Sequence, residues 1–195
     1  MPPPTGRPDR ATPDAPPAPA DAELARRAAL GDRDAFVLVV DTYGPAMFRY
    51  ARRMLPNDQD AEDCVQDALG AVWLGIDGFR ADSSLKTWVF GILANVVRRY
   101  LRRRPPVPVE GVLDVPTRVD DDDPVGRLLH ADLLTALGAA LDTLPPLQRA
   151  CWILFAVEGM SYDDIARTQA TTSTVVRGQL ARARRTLEGR LGTWR

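Results

Sequence analysis

Polar and apolar positions along most of this chain alternate with the period of a helix, not of a strand. Leu85, Val89, Ile92 and Val96 recur at i, i+4, i+7 and i+11, the spacing that puts apolar side chains on one helical face. Val176, Leu180, Ala183, Leu187 and Leu191 repeat the pattern near the C-terminus. Leu133, Leu137, Leu141 and Leu144 form a third stripe. No alternating β pattern of useful length is present, so the chain reads as all-α.

Punctuation residues divide these stripes into elements. Asp21 can cap a short helix that ends near Gly31. A helix over Asp34–Thr42 carries Phe36, Val39 and Val40, and Gly44-Pro45 then breaks the chain, with Pro45 in the first turn of the next helix. That helix buries Met47, Tyr50 and Leu55. Another starts near Asp60 as N-cap and runs to about Ile76. A loop with Gly78, Asp82 and Ser83 precedes the long helix from Leu85 to about Arg104. In the second half, Pro145-Pro146 opens a helix with Leu147, Cys151, Leu154 and Phe155, and Gly159 ends it.

Two stretches lack periodicity. Residues 1–20 hold eight of the 17 prolines and almost no large apolar side chain, which predicts a disordered tail. Residues 105–124 hold five prolines and the acidic run Asp120–Asp123, which predicts a flexible linker. The expected organisation is therefore a tail (1–20), a helical domain (21–104), a linker (105–124) and a second helical domain (125–195). With so polar a tether, the two domains are expected to move independently when free.

Net charge is −1 over 195 residues, but its distribution is uneven. Five arginines fall within 98–104, and from Arg177 to Arg195 six arginines meet one acid, Glu188. A merely solvated face usually mixes signs, so these clusters suit phosphate. Trp88, Phe90 and Tyr100 interleave with the first cluster, and rings beside arginines suit unpaired bases; Trp88 could equally be core. Asn95 carries an amide able to bond a base edge. Residues 60–73, DAEDCVQDALGAVW, combine an apolar face of Val65, Leu69 and Val72 with an acidic one, either simply solvated or built for a basic protein partner.

Residues 161–187, SYDDIARTQATTSTVVRGQLARARRTL, read as two helices joined by a short turn, the pattern of a DNA-reading helix-turn-helix. The turn lacks glycine: none lies between Asp163 and Arg177. Enzyme chemistry is unsupported. His130 is the only histidine, and no metal-ligand spacing, phosphate loop or nucleophile motif is visible, so neither a cofactor nor a metal is expected. Cys64 and Cys151 sit in apolar helical patterns, as buried thiols of a reducing compartment do. No run approaches membrane-spanning length, and a cytoplasmic location is expected.

Three segments in order, DAEDCVQDALGAVW, TWVFGILANVVRRYLRRR and LDTLPPLQRACWILFAVEGMSYDDIA, resemble the extracytoplasmic-function sigma factors of bacteria. The resemblance covers about residues 21–192. It implies a sigma-2-like and a sigma-4-like domain, core RNA polymerase and promoter DNA as partners, an anti-sigma factor as regulator, and a free protein that is a monomer. It places polymerase binding on Asp60, Glu62, Asp63, Gln66 and Asp67. Reading of the −10 element falls to Arg80, Trp88, Asn95, Arg98, Arg99, Arg102 and Arg103. Reading of the −35 element falls to Arg149, Thr172, Ser173, Thr174, Arg177, Gln179, Arg182 and Arg184. The family usually reads I-A-x-x-L-G-x-S-x-G-T-V-x-S-R-L across the turn; here Gln169 and Ala170 replace Leu-Gly, Thr174 and Val175 replace Gly-Thr, and Gln179 replaces an arginine. The turn is thus expected to be strained or reshaped. Two other readings remain open: a polymerase-independent DNA-binding regulator, and a protein-interaction module without −35 recognition.

Overall fold

The computed structural model describes residues 19–103 and 134–192, with side chains from residue 21 onward. The tail and linker expected at 1–20 and 105–124 lie outside these residues, except for the backbone of 19 and 20. The described residues form eight α-helices and no strand. The first four are α1 (Pro19–Ala29), α2 (Arg33–Met54), α3 (Asp58–Gly75) and α4 (Leu85–Arg103). The second four are α5 (134–142), α6 (Pro146–Ala156), α7 (Tyr162–Gln169) and α8 (Ser173–Leu191).

Local chemistry sets most boundaries. Gly31 at φ 84° turns the chain after α1. Asp32 then caps α2 by accepting from the Asp34 and Ala35 amides, satisfying donors that the helix itself cannot. Asp21 is not a cap but sits inside α1, where it accepts a hydrogen bond from the Tyr43 hydroxyl at 3.2 Å. Likewise α3 is capped by Asn57 rather than Asp60. The Asn57 Oδ1 accepts from the Asp60 amide at 2.8 Å, and its Nδ2 donates back to the Asp60 carboxylate at 2.8 Å. This reciprocal pair buries Asp60.

The break expected at Gly44-Pro45 does not occur. α2 runs through Pro45 for 22 residues. Proline there cannot donate to the preceding turn, yet Val39, Tyr43, Met47, Tyr50 and Met54 stay in phase on one buried face across it. Tertiary packing of that face outweighs one missing hydrogen bond.

The two halves are not separate bodies. A single apolar cluster joins Met47, Tyr50, Leu55, Phe90 and Leu93 of the first half to Cys151, Ile153, Leu154, Ile165 and Ala166 of the second. α2 packs on α6, and α4 packs on α7. At this contact Gly91 of α4 faces the backbone of Thr168 on α7. Apolar faces of α2 and α4 thus find partners in α6 and α7, a packing that the expected independence of the two domains did not include. A smaller cluster of Ala140, Leu141, Leu144, Ala183 and Leu187 closes the far end.

Pro45 supplies a direct check on this packing. Pro45→Ala should restore a helical hydrogen bond and stabilise the protein by roughly 1–3 kcal/mol. Thermal unfolding measures it; a midpoint that stays put or falls would mean that α2 accommodates the ring without loss.

Candidate functional site

Three surfaces carry the residues singled out in the sequence. The first is the outer face of α3. Glu62, Asp63, Gln66 and Asp67 are all exposed there, with Asp63 accepting from the Gln59 amide at 3.1 Å. Asp60 does not join them, being buried in the cap. Two turns beyond Gln66 and Asp67, the face ends in two apolar residues that the sequence reading passed over. Leu74 is 82% exposed and Trp73 37%, and Trp73 is braced edge-on against Phe36 with ring centres 4.8 Å apart. The signal was the continuation of the 62–63, 66–67 spacing to 73–74. Such an exposed pair is seldom idle when a charged rim surrounds it.

The second surface is α4 and the loop before it. Trp88, Asn95, Arg99, Arg102 and Arg103 recur at helical spacing along one side. Asn95, Arg99, Arg102 and Arg103 are exposed. Arg80 is exposed in the loop. Trp88 is half-buried and stacks obliquely on Phe79, centre to centre 5.5 Å; it is both part of the core margin and the head of the polar stripe. Arg98 departs from the others. It donates to Asn95 Oδ1 at 2.7 Å, and its positive charge reaches Tyr50 on α2. It is half-buried rather than exposed.

The third surface is the α7–α8 pair. Ser161 caps α7 and Thr172 caps α8, the latter accepting from the Val175 amide at 3.3 Å. Ser173 bonds the Asp163 carboxylate across the turn. Ala170 holds the turn at φ 50°, ψ 51°. The backbone keeps the left-handed closure that glycine would adopt without cost, with the Thr171 amide reaching back to the Ala166 carbonyl at 2.9 Å. Of the two expected outcomes, strain or reshaping, the chain shows strain. On α8, Val176, Leu180, Ala183 and Leu187 are buried, while Thr172, Thr174, Arg177, Arg182 and Arg184 are exposed and Gln179 is half-buried. Arg177 and Arg184, seven residues apart, share one flank. Each lies over a ring of the stacked Phe155–Tyr162 pair, Arg177 on Tyr162 at 5.7 Å and Arg184 on Phe155 at 5.6 Å. Gln179 and Arg182 occupy the other flank.

Arg149 is not on this surface. It is buried on α6, donating to the Asp142 carbonyl and, at 3.3 Å, to the Arg53 carbonyl of the first half. Its ion pair with Asp142, at 3.5 Å, does not offset the loss of water. Burial lowers the Arg149 pKa and raises that of Asp142, each against its partner's pull. Burial also pushes the Cys151 thiol up to about 11, so it stays protonated, and both buried cysteines are outside any disulfide. Among the described residues no cluster could hold a metal ion and no helix is long and apolar enough to cross a membrane.

The chain is similar to known proteins over both sets of helices. Residues 39–105 match the Sigma-70 region 2 family and residues 134–187 the Sigma-70, region 4 family. The chain is 30% identical over 182 residues to the "ECF RNA polymerase sigma-E factor" of Haemophilus influenzae, covering 88% of this chain and 95% of that one. It is 31% identical over 175 residues to the "ECF RNA polymerase sigma factor SigM" of Mycobacterium tuberculosis, covering 88% and 85%. Among solved structures it is similar to CnrH in complex with the cytosolic domain of CnrY (TM-score 0.66, 29% identity, 89% of this chain and 98% of that one). It is also similar to the sigma factor RpoE of Bartonella quintana in complex with the anti-sigma factor NepR (TM-score 0.65, 29% identity, 82% and 98%).

The strained turn is open to measurement. Ala170→Gly removes a Cβ from a left-handed residue and should stabilise the fold by about 1 kcal/mol. Denaturant unfolding reads the change, and a destabilised variant would show that Ala170 is favoured for another reason.

Proposed function

The chain belongs to the extracytoplasmic-function sigma factors of the sigma-70 family and directs RNA polymerase to promoters, and we propose that its three exposed surfaces divide that work. The outer face of α3 docks on the polymerase. Glu62, Asp63, Gln66 and Asp67 supply charge and hydrogen bonds, and Trp73 and Leu74 supply apolar contact at its end. An interface with an aromatic anchor inside a charged rim concentrates its binding energy at the anchor. The exposed α3 face is the observation that carries this reading: in a regulator acting on DNA alone it would have no role.

The α4 stripe reads and holds open the −10 element. Arg99, Arg102 and Arg103 meet phosphates, Arg80 does so from the loop, Asn95 bonds a base edge and Trp88 stacks on an unpaired base. Arg98 contributes by fixing the Asn95 amide. The α7–α8 pair reads the −35 element, with Thr172, Ser173 and Thr174 at the start of α8, where amides and the helix dipole favour a phosphate. Arg177, Arg182 and Arg184 add backbone charge neutralisation, and Gln179 supplies the base contact. Arg149 joins them only after the two halves part. The sigma-2-like domain is assigned to residues 21–104 and the sigma-4-like domain to 125–195. Such a protein works in the cytoplasm, as a non-catalytic initiation factor without cofactor. The relatives solved with anti-sigma factors support a regulator of that kind here.

Two measurements address these assignments. Reversing charge at Glu62 and Asp67 to lysine should weaken the complex with core polymerase at least tenfold, while circular dichroism of the free chain stays unchanged. Undiminished co-purification of the double variant would remove α3 as the docking face. Selection from a randomised −35 library should return different sequences for the wild type and Gln179→Arg, because glutamine pairs with adenine where arginine favours guanine. Identical winners would exclude Gln179 as a reader.

A further inference from the structure

Two arginines of α8 are held in place without being neutralised. Arg177 and Arg184 are exposed and seven residues apart, which puts them on one flank of the helix. The partner of each is an aromatic ring rather than a carboxylate: Arg177 lies over Tyr162 at 5.7 Å and Arg184 over Phe155 at 5.6 Å. The two rings stack on each other, with centres 5.3 Å and planes 30° apart. Phe155 comes from α6 and Tyr162 opens α7, and both pack against the main apolar cluster. A shelf built by two helices thus lies under two arginines of a third. On the other flank of α8, Arg182 lies beside the bare backbone of Gly178, so among the described residues the shelf serves one flank only.

A shelf differs from an ion pair in what it leaves behind. A carboxylate orders a guanidinium and cancels its charge. A ring within about 6 Å attracts the cation through its quadrupole and leaves the charge whole. A guanidinium lying on a ring also keeps its in-plane N–H donors for a further acceptor. Part of the rotamer freedom that an arginine loses on binding is then already lost in the free protein. Such an arginine suits phosphate, which needs both the charge and the donors.

We propose that the stacked Phe155–Tyr162 pair is a positioning platform, which holds Arg177 and Arg184 ordered and fully charged so that they clamp the DNA backbone and leave the flank of Gln179 and Arg182 to the bases. Phe155 and Tyr162 are positioning residues that act through the two arginines. The proposal rests on the sigma-factor reading for the DNA it meets, but its test needs no polymerase; promoter-directed transcription by the wild type with core polymerase tests that reading separately. In the full chain, Tyr162→Leu and Phe155→Leu remove a ring and keep an apolar side chain. Each should weaken binding to a random-sequence DNA duplex roughly two- to fivefold, the size of an exposed cation–π contact, and Tyr162→Phe should restore the wild-type affinity. With Arg177→Gln already present, Tyr162→Leu should weaken binding no further, and Phe155→Leu should likewise add nothing to Arg184→Gln. Rings that serve packing alone would lower affinity by the same factor with or without the arginine, and that result overturns the platform. So does full affinity in both leucine variants, or a wild type that binds no duplex. Side-chain NMR of the wild type checks the platform without any variant having to fold: ring currents should place the Arg177 and Arg184 Nε protons upfield of that of exposed Arg190, and coincident signals overturn it.

Discussion

One buried carboxylate is held by cations of both long helices of the first half. Glu158 follows the end of α6, just before Gly159 turns the chain at φ 65°. That turn directs it back between Arg49 of α2 and Lys86 of α4. A buried carboxylate without such partners would cost several kcal/mol. The ion pairs thus do less to stabilise the fold than to specify it, because α6 must lie where two cations of the other half can reach it. Once α6 is fixed, α7 falls against Gly91 of α4, and α8 presents its arginines outward.

The cores reinforce that registration without supplying it. Tyr50 and Phe90 meet edge to face at 6.0 Å, and around them apolar side chains from both halves make one cluster. Burial raises the Tyr50 hydroxyl to about 12 even though the Gln169 amide and Arg98 pull it down, so it remains a neutral partner for Gln169. The result is a protein in which the surfaces proposed for polymerase and DNA stand on helices that share one apolar core, with ion pairs and hydrogen bonds at its margin.

Much of this was legible along the chain and some was not, for reasons that separate local from long-range physics. The stripe from Leu85 through Val96 and that from Val176 through Leu187 each matched a buried helix face, because period alone decides them. The left-handed Ala170 was legible as strain because one residue type at one position sets its cost. Gly44-Pro45 misled, since a local rule for breaking helices lost to the unbroken face of Val39, Tyr43, Met47 and Tyr50. Asp60 was taken as the cap, whereas Asn57, three residues earlier, holds that place and Asp60 is buried against it. The contact between the halves was not legible at all. Arg49 and Glu158 are 109 residues apart, and the acid-rich linker suggested separation. The one hint was Thr168 and Gln169, polar side chains that follow Ile165 and Ala166 on the face α7 buries.

The central claim is that the free chain is a single cooperative body whose two sets of helices share one core. Amide hydrogen exchange of the free wild-type protein tests it most directly. In the free protein, α6 and α7 should be protected to the same degree as α2 and α4. If α6 and α7 in the free chain exchange far faster than α2 and α4, the halves are independent and the account of the shared core is wrong.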